Sequence, residues 1–213
     1  MLYALLLSSA LAGKAPPVES LGLVETPLPP RPAAEVMALH PEAVTCRVAW
    51  TLPREGQAAA VVQDGCPDDL RPEVQEVAGR WVFGAVEPLP GADTVQLQVD
   101  FVYASGEWTE QPVLPAGVAQ PDGKQVIDGK LVVKQTIPEL PKDLPADGNA
   151  WASSARIFVD VKGYPIRIET RSQIPAYIPL LTTALKTWRY KPYLIEGAAV
   201  PYTYVQKVKT VFN

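Results

Sequence analysis

One histidine, two cysteines and two methionines among 213 residues leave little from which to build a metal centre or a histidine-driven active site. The sequence holds no C-x-x-C, H-E-x-x-H, G-x-S-x-G or G-x-x-x-x-G-K-[S/T]. Redox dithiol, zinc-protease, α/β-hydrolase and P-loop chemistry therefore lack their signatures. His40 stands beside Pro41 at the end of a loop-like stretch, where a lone histidine is ordinarily solvated. Asp68-Asp69 and Glu107/Glu110 are carboxylate pairs beside turns, which more often cap or solvate than catalyse. No metal and no cofactor is expected, and the chain reads as a non-enzyme. Mean hydropathy of +0.04 argues against a multi-span membrane protein, and a net charge of −4 argues against nucleic acid.

The longest apolar stretch covers residues 1–12, MLYALLLSSALA. A helix of that length spans about 18 Å, short of the ~30 Å hydrocarbon core. Ala10-Leu11-Ala12 suits a cleavage site, so 1–12 is expected to be a signal peptide and membrane anchoring is not expected. Proline is plentiful at 23 residues. Seven of them fall in 13–41, which reads as an extended, Pro-rich spacer.

Cys46 and Cys66 are placed symmetrically about Gly56. If 46–66 is a hairpin turning there, the two sulfurs meet across its open end and form a disulfide. Export to an oxidising compartment would preserve that bond, worth about 3 kcal/mol on the chain-entropy model.

Periodicity suggests an α+β chain built from two units, each a β-hairpin, one helix and a further strand. In the first, over 42–104, VTCRVAWTL and QAAAVVQDG flank a PREG turn. A helix follows, with Asp69 as cap, Pro72 in the first turn, and Val74, Val77, Ala78 and Trp81 at helical spacing. TVQLQVDFVY then alternates as a half-buried strand. In the second, over 151–213, ARIFVDV and YPIRIETR flank Lys162-Gly163. A helix starting near Pro179 carries Leu181, Leu185 and Trp188, and the last strand is VPYTYVQKVKTVF. Gly56 and Trp81 recur as Gly163 and Trp188, and Phe83 as Tyr190, all 107 positions later. The connecting segment 105–150 contains a candidate hairpin, QVIDGKLVV, with an Asp-Gly turn.

Residues 151–213 hold nine basic and three acidic residues, against ten and twenty in the rest. The basic end is suited to attract the acidic body or an acidic partner. A small sheet covered by one helix leaves open edges, which capture extended peptides by strand addition. The candidate edge is the last strand, through Val200, Tyr202, Tyr204, Gln206, Lys207 and Lys209. Its lysines discourage indiscriminate pairing, and its tyrosines are expected either to grip a peptide or to lie in the core.

The run from Ala155 to Phe212 resembles the C-terminal domain of TonB-type energy transducers. The resemblance rests on Gly163, the signature Trp188-Arg189-Tyr190-Lys191-Pro192, the Gly197 turn and the ordered strands. Residues 45–103 share Trp81 and Phe83 but lack the signature Arg and Pro. The resemblance implies packing roles for Trp188, Arg189, Tyr190 and Pro192, a periplasmic location, and capture of extended segments of cell-envelope proteins. Three functions stay open: an exported binding protein, an anchored energy transducer for outer-membrane transport, and a structural envelope protein with no peptide-binding role.

Overall fold

The computed structural model describes residues 15–26, 28–121, 132–134 and 150–211. In chain order these form β1 (Glu19–Glu25), α1 (Ala34–Ala38), β2 (Val44–Pro53), β3 (Ala59–Val62), α2 (Arg71–Gly79), β4 (Val82–Glu87), β5 (Thr94–Ala104), β6 (Glu107–Pro112) and β7 (Val132–Lys134). There follow β8 (Ala150–Val159), β9 (Pro165–Ser172), α3 (Tyr177–Lys186), β10 (Arg189–Tyr190), β11 (Tyr193–Ile195), β12 (Ala198–Val200) and β13 (Tyr202–Val211). The architecture is mixed α+β, and its sheets are mostly antiparallel.

One sheet has the order β3-β2-β5-β6. Alternation places Cys46, Val48, Trp50 and Leu52 of β2 on its buried face, with Val95, Leu97, Val99 and Phe101 of β5 beside them. Helix α2 lays Val74, Val77 and Ala78 on that face. Trp81, just past the helix, stacks on Trp50 with ring centroids 4.7 Å apart. The second sheet has the order β13-β8-β9-β1-β4. Here Ile157, Val159 and Ile168 meet Leu181, Leu185 and Trp188 from α3 and beyond its end. Each such large side chain contributes about 1.5–3 kcal/mol by leaving water.

The sheets depart from two separate three-stranded units. The 13–41 stretch is not spacer throughout: Glu19–Glu25 is β1, parallel to β9 and antiparallel to β4 inside the larger sheet. Its Leu21 and Leu23 face the first core, while Gly22 lies under α3, where a Cβ would sit 2.6 Å from Ile178 Cγ2. The strand after α2, β4, leaves its own hairpin and pairs with β1. A fourth strand, β6, comes from the stretch read as connecting segment. The Asp-Gly turn expected at 128–129 lies outside the described residues, and Val132–Lys134 pairs with Arg189–Tyr190.

Helix ends differ too. Leu70, not Asp69, is the residue preceding α2, and no side chain caps it. Asp69 instead holds His40, with Nε2 2.9 Å from Oδ2. Helix α3 begins at Tyr177, two residues before Pro179, which the first turn accommodates because the N–H that proline lacks would have no intrahelical acceptor there.

Arg167 and Arg171 of β9 tie the two sheets together, and Lys186 ties α3 to β4. Arg167 lies 3.0 Å from Glu169 and 3.5 Å from Glu19, and donates to the Gln96 carbonyl at 2.6 Å. Arg171 reaches Glu110 at 3.6 Å and lies over the Trp81 ring, and Lys186 bonds Glu87. Burial lifts the Glu110 carboxyl above its ordinary range, opposed by Arg171.

Gly163 has φ +86, and a Cβ there would collide with the Tyr190 carbonyl oxygen. Gly163→Val is expected to cost about 3 kcal/mol or more in chemical denaturation. Gly91→Ala, at φ +85 in open space, costs about 1 kcal/mol. Equal losses would contradict the packing described here.

Candidate functional site: the outer edge of β13

Strand β13 is the rim of the five-stranded sheet. It pairs with β8 over ten consecutive residues, Tyr202↔Val159 to Val211↔Ala150, without a bulge. Val200 does not belong to it: it ends β12, and Pro201 separates the two strands. Alternation turns Tyr202 and Tyr204 to the α3 face. Tyr202 is fully buried and Tyr204 nearly so, in one core with Leu181, Leu185, Trp188 and Tyr190. The Tyr202 hydroxyl donates to the Lys191 carbonyl at 2.9 Å. These rings fill the core and present no aromatic surface to a peptide.

The opposite face carries Thr203, Val205 and Lys207. Val205 is 39% exposed. The Lys207 ammonium has no ion-pair partner among the described residues. The Lys209 side chain lies outside the described residues.

The outer backbone edge is partly engaged. The Ala119 N–H donates to the Pro201 carbonyl at 2.8 Å, and the Thr203 N–H donates to the Ala119 carbonyl at 2.9 Å. Thr203 thus points its backbone outward, and strand alternation makes Val205 and Lys207 do the same. Gln206 Nε2 donates to the Lys207 carbonyl at 2.7 Å, and its own Oε1 accepts from the Tyr204 hydroxyl. No other strand among the described residues pairs with β13 beyond Thr203.

Behind this edge lies a cavity of about 730 Å³. Lys207, Ser154, Arg171 and Leu23 line it and stand in one cross-strand row over β13, β8, β9 and β1. Ser154 separates the two cations.

Of Trp188, Arg189, Tyr190 and Pro192, the tryptophan and the tyrosine lie in the core that supports this edge. The Tyr190 N–H donates to the Gly163 carbonyl at 3.0 Å. The Arg189 guanidinium lies 4.4 Å from the Tyr164 ring centroid, and Pro192 is exposed. Cys46 and Cys66 form a disulfide away from β13. It is not the cross-strand pair expected. In the β2–β3 register, where Val48 faces Val62, Cys66 lies beyond the paired residues. A turn at Asp64-Gly65 brings it back over buried Cys46, so the bond pins the approach to α2.

Among the described residues no group of three or more His, Cys, Asp or Glu is placed to hold a metal. No helix among them is long and apolar enough to cross a membrane.

The outward-facing backbones of Thr203 and Val205, the Ala119 bridge, Ser154 and Arg171 were not singled out from sequence. The 107-residue repeat was the signal available. The β2–β5 pair Trp50↔Leu97 and the β8–β13 pair Ile157↔Tyr204 stand 107 positions apart on both strands.

No protein-family model, curated protein or solved structure matches this chain.

Tyr190 and Tyr202 have phenol groups raised above their ordinary range, chiefly by burial and then by neighbouring Tyr204. An unfolded chain releases these protons near pH 10, the folded chain only at higher pH, so stability falls as pH rises past about 10. The Tyr190 hydroxyl has no hydrogen-bond partner among the described residues. Tyr190→Phe should therefore leave the melting midpoint at pH 7 unchanged or higher. It should also lessen the alkaline loss by about 1.4 kcal/mol per pH unit. An undiminished alkaline loss would contradict this assignment.

Proposed function

We propose that this chain is a non-catalytic binding protein of the cell envelope, exported to the periplasm, which captures extended segments of other proteins along the outer edge of β13. The observation that carries the reading is internal. Strand β5 occupies the place in the first sheet that β13 occupies in the second, in the same register 107 positions earlier. The elements between them agree as well: hairpin, helix, buried tryptophan and return strand. We take the two as divergent copies of one ββαβ unit, joined by exchanged and added strands.

In the first copy the outer edge is filled. Strand β6 pairs antiparallel with β5 from Val99 to Ala104, and the Val113 N–H donates to the Gln98 carbonyl at 3.0 Å. The matching stretch of β13 runs from Val205 to Val211. Among the described residues it has β8 on one side and no strand on the other. A regular edge with outward N–H and C=O groups is a template for a strand from another chain. The disulfide supports an oxidising compartment. The likeness of 155–212 to the TonB C-terminal domain supports the same location and mode of binding.

A photoreactive amino acid at Val205 should crosslink envelope proteins in cells. The same group at Val161, 40% exposed in the β8–β9 turn, should not. Identical crosslinking profiles from both positions would refute capture at this edge.

A further inference from the structure

We infer that the segment captured on β13 runs antiparallel to it and carries an acidic side chain opposite Lys207. This deepens the edge-capture reading and rests on it. The direction comes from β6. That strand is the chain's own example of a partner on the equivalent edge, and it runs antiparallel to β5 with Gln111 opposite Asp100. Asp100 stands 107 positions before Lys207. An antiparallel strand in the same register places one residue directly opposite Lys207. That residue's side chain emerges on the face of Lys207, because opposed residues share a face.

The chemistry of that side chain follows from the row it joins. Lys207, Ser154, Arg171 and Leu23 lie side by side across four strands and line the 730 Å³ cavity. An added strand supplies the fifth member, next to Lys207. In the first sheet the corresponding row holds Asp100 and Arg47, which pair at 2.7 Å across β5 and β2. In the second sheet the corresponding neighbours are Lys207 and Ser154, so the lysine has no carboxylate beside it on β8. Arg171, two strands away, is engaged by Glu110 and the Trp81 ring. Glu25 also lines the cavity, but on β1, three strands from β13. The position opposite Lys207 is thus the place for a missing carboxylate. A lysine there would face like charge, and an apolar residue would leave the ammonium unpaired.

The test uses the full chain, 15N-labelled, and two nine-residue peptides of alternating threonine and valine. One has a central glutamate and the other a central lysine. The glutamate peptide should shift the Val205 and Lys207 amides and bind about fivefold or more tightly than the lysine peptide. Lys207→Glu, at an exposed position, should reverse that order. A spin label on the peptide's N-terminus should broaden the Val211 end of β13 rather than the Tyr202 end. Equal affinities, an order unchanged by Lys207→Glu, or broadening at Tyr202 would overturn this inference while leaving edge capture standing. Val205→Pro removes an outward N–H without touching the β8 pairing, and should abolish binding of both peptides. Binding undiminished in Val205→Pro, or absent from the wild-type chain, would overturn edge capture and this inference together.

Discussion

Every backbone N–H and C=O along the rim of a sheet has to meet water or another backbone, and most of this molecule's irregularities follow from that requirement. A hairpin, a helix and one further strand make a three-stranded sheet with two rims. The first sheet fills the outer rim of β5 with β6. The second fills the outer rim of β9 with β1, a strand from the far N-terminal side. On β13 only Ala119 and the Gln206 side chain meet outward-facing groups among the described residues. Three rims of equivalent chemistry thus receive a hairpin arm, a long-range parallel strand and a single bridge. The outer edge of β3 is met by the Gln75 side chain, and under the proposal it is β13 that offers a template to a partner.

The exchange of strands also makes the two halves one body. Leu21 and Leu23 of β1 complete the core beneath Trp50 and Trp81, while β4, from the first half, forms the far rim of the second sheet. The charge asymmetry serves the same junction. Arg167 meets Glu19, Arg171 meets Glu110 and Lys186 meets Glu87, each a basic group of residues 151–213 with an acid from the rest of the chain. Exposed pairs of this kind contribute little individually. Arg167 gains from partial burial and from its contact with the Gln96 carbonyl, and Arg171 from its contact with the Trp81 ring. Among the described residues Lys207 has no such acidic partner.

Local pattern was enough for much of the architecture. The alternation of Val95, Leu97, Val99 and Phe101 identified β5 and its buried face. Val74, Val77 and Ala78 identified α2, and the matched tryptophans located both helix ends. The disulfide was legible as a pair, though not its geometry, because β3 stops at Val62 and the return path is set by a turn. What local pattern missed is long-range. ESLGLVE has a central glycine, no run of β-branched residues and proline-rich flanks, and it becomes a strand only because β9 and β4 offer it two partners. VFGAVE gave no sign of pairing outside its own unit. For the site, composition favoured β13 through its lysines and tyrosines. The tyrosines proved to be core, since alternation turned them toward α3, and the open positions fell on Val205 and Lys207 between and beyond them.

The central claim is that the chain closes the rim of β5 by itself and leaves the corresponding rim of β13 for another protein. Amide hydrogen exchange on the isolated, full-length protein addresses it most directly. The account predicts slow exchange at Asp100 and Val102, which face β6, and fast exchange at Lys207 and Lys209, their counterparts 107 positions later. Protection of Lys207 and Lys209 comparable to that of Asp100 and Val102, with no partner present, would contradict it.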